Sequence, residues 1–139
     1  MPVVKQERTG WRDSDLSARH RRWGWDCPAV DLDFLLLEYD KGKAIALIEY
    51  KHEDAMPQYA THPTYQALND LGNRAGVPVF VVRYKRDFSF WTVIPLNLDA
   101  KKLIGHRINM TEEEWVSFLY NIRGYNLPKG MFDSEGILI

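Results

Sequence analysis

Three side chains in this sequence have the types and spacing to act on a phosphate ester: Asp33, Glu49 and Lys51. Asp33 sits with Asp31 in the run Val30-Asp31-Leu32-Asp33-Phe34-Leu35-Leu36-Leu37, and Glu49 and Lys51 close the run Ala44-Ile45-Ala46-Leu47-Ile48-Glu49-Tyr50-Lys51. Carboxylates are hard oxygen ligands, and Mg²⁺ takes only one or two of them from a protein while keeping several waters. Asp33 and Glu49 meet that minimum, and Lys51 is placed to orient or help deprotonate a water attacking phosphorus. Both segments are strongly apolar and are expected to be buried on both sides. Charged groups in such a setting are costly unless they pair with each other or hold a metal.

The elements that must position these groups follow from the flanking pattern. Tyr39-Asp40-Lys41-Gly42-Lys43 is a short polar turn between two apolar runs, so residues 30–38 and 43–51 are expected as adjacent strands. Side chains alternate along a strand, which puts Asp31 and Asp33 on one face and Glu49 and Lys51 on one face. Asp13-Ser14-Asp15 offers N-cap chemistry for a short basic helix over 16–23, ended by Gly24. Tyr65 to Ala75 has helical spacing with Gly76 as its stop. Val77–Tyr84 and Phe88–Leu96 are expected as a hairpin joined by Lys85-Arg86-Asp87. Thr111 with Glu114 makes a capping box for a helix that stops near Gly124. Residues 1–12 are expected to be a mobile arm, and 125–139 an irregular tail with a possible edge strand at 136–139. The order predicts one α/β domain over 1–139, a central mixed β-sheet flanked by helices.

Asp33, then Glu49-Tyr50-Lys51 on the next strand, then a helix and the apolar strand Val77-Pro78-Val79-Phe80-Val81-Val82, resembles the PD-(D/E)XK nuclease superfamily over residues 14–84. The resemblance implies a restriction-endonuclease-like core with Mg²⁺ or Mn²⁺ as cofactor and DNA as substrate. It implies metal ligands at Asp33 and Glu49, aided by Asp31 or the carbonyl of Tyr50, and a catalytic lysine at Lys51. Pro28 lies three residues before Asp31 and five before Asp33, so the motif's proline adjoins neither and Asp31 is a rival for the first ligand. Only Trp23 to Cys27 is available for the strand that usually precedes the Asp strand. Resolvase-like members of the superfamily are similarly small and dimeric, so a homodimer cutting particular DNA structures is implied, with a protein partner as another source of specificity. A compact stand-alone nuclease suits a phage or mobile element. The alternative is a non-catalytic binding module with a degenerate nuclease fold.

Other residues carry weaker signals. Arg19, Arg21 and Arg22, with His20, form a basic cluster suited to phosphate contacts or simply to solvation. Gln66 opens the second helix, where some members of the superfamily carry a supporting Gln. Glu38 falls opposite Asp33 and is expected to be structural, while Glu53 and Asp54 lie in a loop that could reach a second cation. Lys85 and Arg86 read as solvated turn charges. Trp23 and Trp25 are the tryptophans best placed to stack on bases. No two of the four histidines have zinc-site spacing.

Composition sets the outer bounds. The 139 residues are 45% hydrophobic and 27% charged, which is globular, with a net charge of −1 that argues against a strongly basic nucleic-acid binder. The charge is uneven: residues 31–58 hold three Lys/Arg against seven Asp/Glu, and residues 59–110 hold seven against three. The lone Cys27 cannot form an internal disulfide. No apolar run is long enough to cross a membrane and no secretory leader pattern is present, so a cytoplasmic location is expected.

Overall fold

The computed structural model of the protein describes residues 14–23, 28–57 and 59–139. The expected arm at 1–12, Trp25 and Cys27, and most of the possible preceding strand lie outside them. The chain divides into two compact units, Met1–Asp31 and Leu32–Ile139. The first contains helix α1 (Ser14–Arg22), which buries none of its residues.

The second unit is built on a five-stranded mixed sheet whose spatial order follows the chain: β1 (Phe34–Glu38), β2 (Lys43–His52), β3 (Val79–Tyr84), β4 (Trp91–Pro95) and β5 (Ile108–Met110). Only β2 and β3 run parallel, joined by the crossover helix α2 (Pro63–Ala75); the other neighbours are antiparallel. This is an α/β architecture of the expected class. Short helix α3 (Leu98–Leu103) and helix α4 (Glu112–Ile122) complete it.

Alternation along β2 and β3 sorts the core into two faces. Ile48, Phe80, Val82 and Val93 pack with Ala100 of α3, with Ile104 at its C-cap and with Trp115 of α4. Leu47, Val79 and Val81 pack with Tyr65 and Leu68 of α2. The caps match the sequence signals. Gly76 ends α2 at φ 72, a left-handed conformation that glycine adopts without steric cost, and Thr111 and Glu114 form the full capping box on α4.

Several expectations need correction. β1 begins at Phe34, so Asp31 and Asp33 precede the strand rather than share one of its faces. Nor is β1 buried on both sides. It is an edge strand with alternating burial, leaving Leu35 at 47% and Leu37 at 41% exposure. Double-sided burial holds instead at the centre of β2, from Ala46 to Glu49, where β1 and β3 flank it. Helix α3 and strand β5 were not anticipated. Six and three residues are too short for hydrophobic periodicity to register, and both are set by capping and by pairing with β4. Residues 136–139 form no strand, only a single bridge between Phe132 and Leu138.

Candidate functional site

Strand β2 carries Glu49 and Lys51 two residues apart, which directs both to the face that α2 covers. The parallel register sets Val81 beside Glu49 and Arg83 beside Lys51 on that face. The last β1–β2 pair is Phe34 with Ile48. Two residues further along β2, the Tyr50 N–H donates to Asp33 Oδ2 at 3.1 Å. The Asp33 side chain therefore supplies the acceptor that another β1 residue would have offered. This bond fixes Asp33 against the motif strand. Because a residue's N–H and C=O point to the same neighbouring strand, the Tyr50 carbonyl faces the same edge as Asp33.

Glu49 is only 8% exposed, and its carboxyl is hydrogen-bonded to that of Asp33. Burial, the Asp33 hydrogen bond and the Asp33 negative charge together push the Glu49 pKa up to about 7, against the opposing pull of Lys51. Two carboxyls in contact cannot both ionise cheaply, so one holds a proton or a cation stands between them. These are oxygen donors of the kind hard divalent cations choose, and two carboxylates plus a backbone carbonyl suffice for an ion that keeps part of its water shell. Asp33, Glu49 and Tyr50 thus fit such an ion by donor chemistry. Among the described residues, no cluster of three or more His, Cys, Asp or Glu side chains forms a ready-made metal cage.

Two further residues come into this site that sequence reasoning assigned elsewhere or missed. Tyr65, the buried first-turn residue of α2, lies within electrostatic reach of Glu49, Asp33 and Arg83, and burial followed by the Glu49 charge raises its pKa. Its spacing with Leu68 marked it as core, which it also is. Arg83 donates from Nη2 to the carbonyls of Glu53 at 3.0 Å and Ala55 at 2.7 Å, clasping the loop that leaves Lys51. Only the β2–β3 register reveals that Arg83 flanks the site, and register across a crossover is not readable from spacing.

The remaining candidates are dispersed. Gln66 is exposed on α2, beside Tyr65, which faces inward. Asp31 belongs to the first unit and is exposed, outside the strands. Arg19, Arg21 and Arg22 are exposed on α1, also in the first unit. Glu38 is buried and structural, as expected, bonded to Arg123 Nη2 at 3.3 Å and accepting from the Asp40 N–H. Asp54 is engaged by Arg86 Nε at 2.8 Å. Trp23 is exposed and packs on His20. An open groove of about 720 Å³, lined by Lys41, Lys43, Gly76 and Leu103, lies at the start of β2, away from Glu49. It holds no carboxylate and none of the site's chemistry.

No protein-family model matches this chain, and neither a curated protein nor a solved structure is similar to it. No described helix is long and apolar enough to cross a membrane.

Proposed function

We propose that this chain is a small Mg²⁺- or Mn²⁺-dependent DNA endonuclease of the PD-(D/E)XK type, with a restriction-endonuclease-like core built on β1, β2, α2 and β3. The observation that carries the reading is the Asp33–Glu49 carboxyl pair, an exposed acid set against a buried one at the edge where β1 gives out, with Lys51 two residues on along the same face. A purely structural pair would more economically be a carboxylate with a cation. Two acids in contact are a configuration that a divalent ion relieves.

Asp33, Glu49 and the Tyr50 carbonyl would hold the ion, which supplies positive charge to draw in the scissile phosphate and stabilise charge developing on it. Lys51 orients the attacking water and favours its deprotonation. Glu49, with a pKa of about 7, would give up its proton to solvent in order to hold the ion. Tyr65, buried on the α2 side, lies within electrostatic reach of the pair. The water gives a proton to bulk solvent as its oxygen bonds to phosphorus, the bridging P–O bond breaks, and the departing oxygen takes a proton from solvent. DNA is the proposed substrate, a homodimer the proposed working form, and a phage or mobile element with a cytoplasmic site of action the proposed setting. Arg19, Arg21 and Arg22 are proposed phosphate contacts.

The test is cleavage of supercoiled plasmid, linear duplex and a four-way junction with Mg²⁺ or Mn²⁺, comparing wild type with Lys51→Ala. Metal-dependent cutting that falls by about 10²-fold or more in the variant is expected. The second reading, a non-catalytic module, rests on the Tyr50 N–H bond, which gives Asp33 a structural task of its own. No cutting of any substrate, with variant and wild type alike, would favour it.

A further inference from the structure

The hairpin between β3 and β4 is tightly built and ends in exposed aromatic rings. The Lys85 N–H bonds the Phe90 carbonyl, the Phe88 N–H bonds the Lys85 carbonyl at 2.7 Å, and the Ser89 N–H and hydroxyl both donate to Asp87 Oδ1. At the tip, Phe88 adopts φ 62. It is the non-glycine residue with a positive φ among those described, and a bulky side chain is an outlier there. Turn chemistry alone would select Gly or Asn at such a position.

The strained backbone lays the Phe88 ring onto two others. It stacks on Trp91 at 5.9 Å and 17° and on Tyr84 at 5.8 Å and 24°, while the Trp91 indole N–H donates to the Phe88 carbonyl. The stack is thereby held rigid, yet Phe88 remains 50% exposed and Phe90 43%. Lys85 lies over the Phe90 ring, while Arg86, next in the tip, is held by Asp54 at 2.8 Å, so one cation adjoins the exposed rings. The stack stands at the catalytic end of the sheet. Tyr84 pairs with His52, three residues past Glu49, which is roughly 10 Å along the strand. Because Tyr84 and Trp91 pack on Tyr50, the rings occupy the face opposite Glu49, and a strand reaching them from Lys51 passes over the end of the sheet.

We infer that Phe88, supported by Tyr84 and Trp91, is a stacking platform for an unpaired nucleobase, with Lys85 contacting an adjoining phosphate. Exposed rings with a lysine beside them match bases with a phosphate beside them, and rigid aromatic faces bind unpaired bases with little regard to sequence. The inference deepens the nuclease reading, since it relies on that reading for the path of the strand. It assigns the substrate class: nucleic acid with bases out of the duplex, such as a flap, a gap or a junction.

The test is binding in EDTA, read by fluorescence anisotropy well below the melting temperature. Labelled oligothymidylate and oligouridylate of about 20 nucleotides and a blunt duplex of similar length are compared for wild type, Phe88→Gly and Phe88→Tyr. Glycine suits φ 62, so Phe88→Gly should retain or raise the melting temperature while weakening single-strand binding by about tenfold; Phe88→Tyr should bind as wild type. The two oligonucleotides distinguish DNA from RNA as the source of the base. Equal binding by wild type and Phe88→Gly, or no oligonucleotide binding at all, would overturn the inference. So would Phe88-dependent binding to phosphatidylserine vesicles in place of oligonucleotide. Ring-dependent binding by a protein that cuts nothing would remove the nuclease and leave the platform, and cutting with ring-independent binding would do the reverse.

Discussion

At the scale of single residues, the chemistry is concentrated in the raised pKa of Glu49, and its sign makes a prediction. A carboxyl with a pKa of about 7 in the folded protein, against 4.5 ordinarily, binds more protons folded than unfolded between those values. Its protonated form therefore stabilises the fold fully below about pH 4.5, and that contribution is lost as pH rises through about 7. Metal-free protein should melt lower at pH 8 than at pH 5.5, and Glu49→Gln, permanently neutral, should flatten that profile. The difference is on the order of 2 kcal/mol. A profile unchanged by Glu49→Gln would mean that the carboxyl pair does not share a proton. Lys51→Ala should move the midpoint upward, because Lys51 is the group that opposes the shift. Glu49 and Lys51 were legible in the sequence because charges at spacing two in an apolar strand are conspicuous, and Asp33 because it heads the neighbouring apolar run, although it lies just ahead of β1 rather than in it. Tyr65 and Arg83 were not, because they reach the site through a crossover and a parallel register that no local pattern encodes.

At the scale of elements, the site depends on how α2 is pressed onto β3, and a buried asparagine does much of that. Asn97 caps α3 by accepting from the Ala100 N–H, also accepts from the Val79 N–H, and donates to the Val77 carbonyl and Asn73 Oδ1. One side chain thus ties α2, β3 and α3 together. Beside it, a Cβ on Gly72 would collide with the Val79 side chain, so the glycine permits the close approach of helix to strand. Asn97→Leu leaves buried backbone groups without partners and should cost about 2–4 kcal/mol in urea unfolding. A loss below about 0.5 kcal/mol would show that water replaces its bonds. Glu38 makes the same kind of link between the end of β1 and the end of α4. Arg123→Ala would remove the cation from a buried carboxylate and leave it only the Asp40 N–H, and should destabilise by about 3 kcal/mol in urea unfolding. The long elements were readable from periodicity and caps. Helix α3 was missed because its existence rests on Asn97, whose role appears only once three elements have met.

At the scale of the whole molecule, one sheet serves two purposes on its two faces. The α4 face is packed with Trp115, Phe80 and Tyr50, and the Trp115 indole N–H donates to the Tyr50 hydroxyl. That aromatic core makes the backbone of Tyr50 rigid, and the same residue presents its N–H to Asp33 on the sheet's open edge. Stability generated on one face therefore fixes geometry at the carboxyl pair beside the other. The sequence displayed this division as alternation within Ile48-Glu49-Tyr50-Lys51, but it overstated the burial of β1, because apolar composition does not distinguish an edge strand from a central one. If the open edge and the carboxyl pair are completed by a cation, metal and fold are thermodynamically linked. Ion at 100 times its dissociation constant would add about 2.7 kcal/mol, a rise of roughly 5–10 °C in melting temperature for a domain of this size. The rise should grow from pH 6 to pH 8, since protons compete with the ion for Glu49, and it should vanish in Glu49→Ala. A structural carboxyl pair predicts otherwise: no response to Mn²⁺ at either pH, and a melting temperature that declines with pH whether the ion is present or absent. Scanning calorimetry at the two pH values, with Mn²⁺ and with EDTA, separates these outcomes without relying on the identity of the substrate.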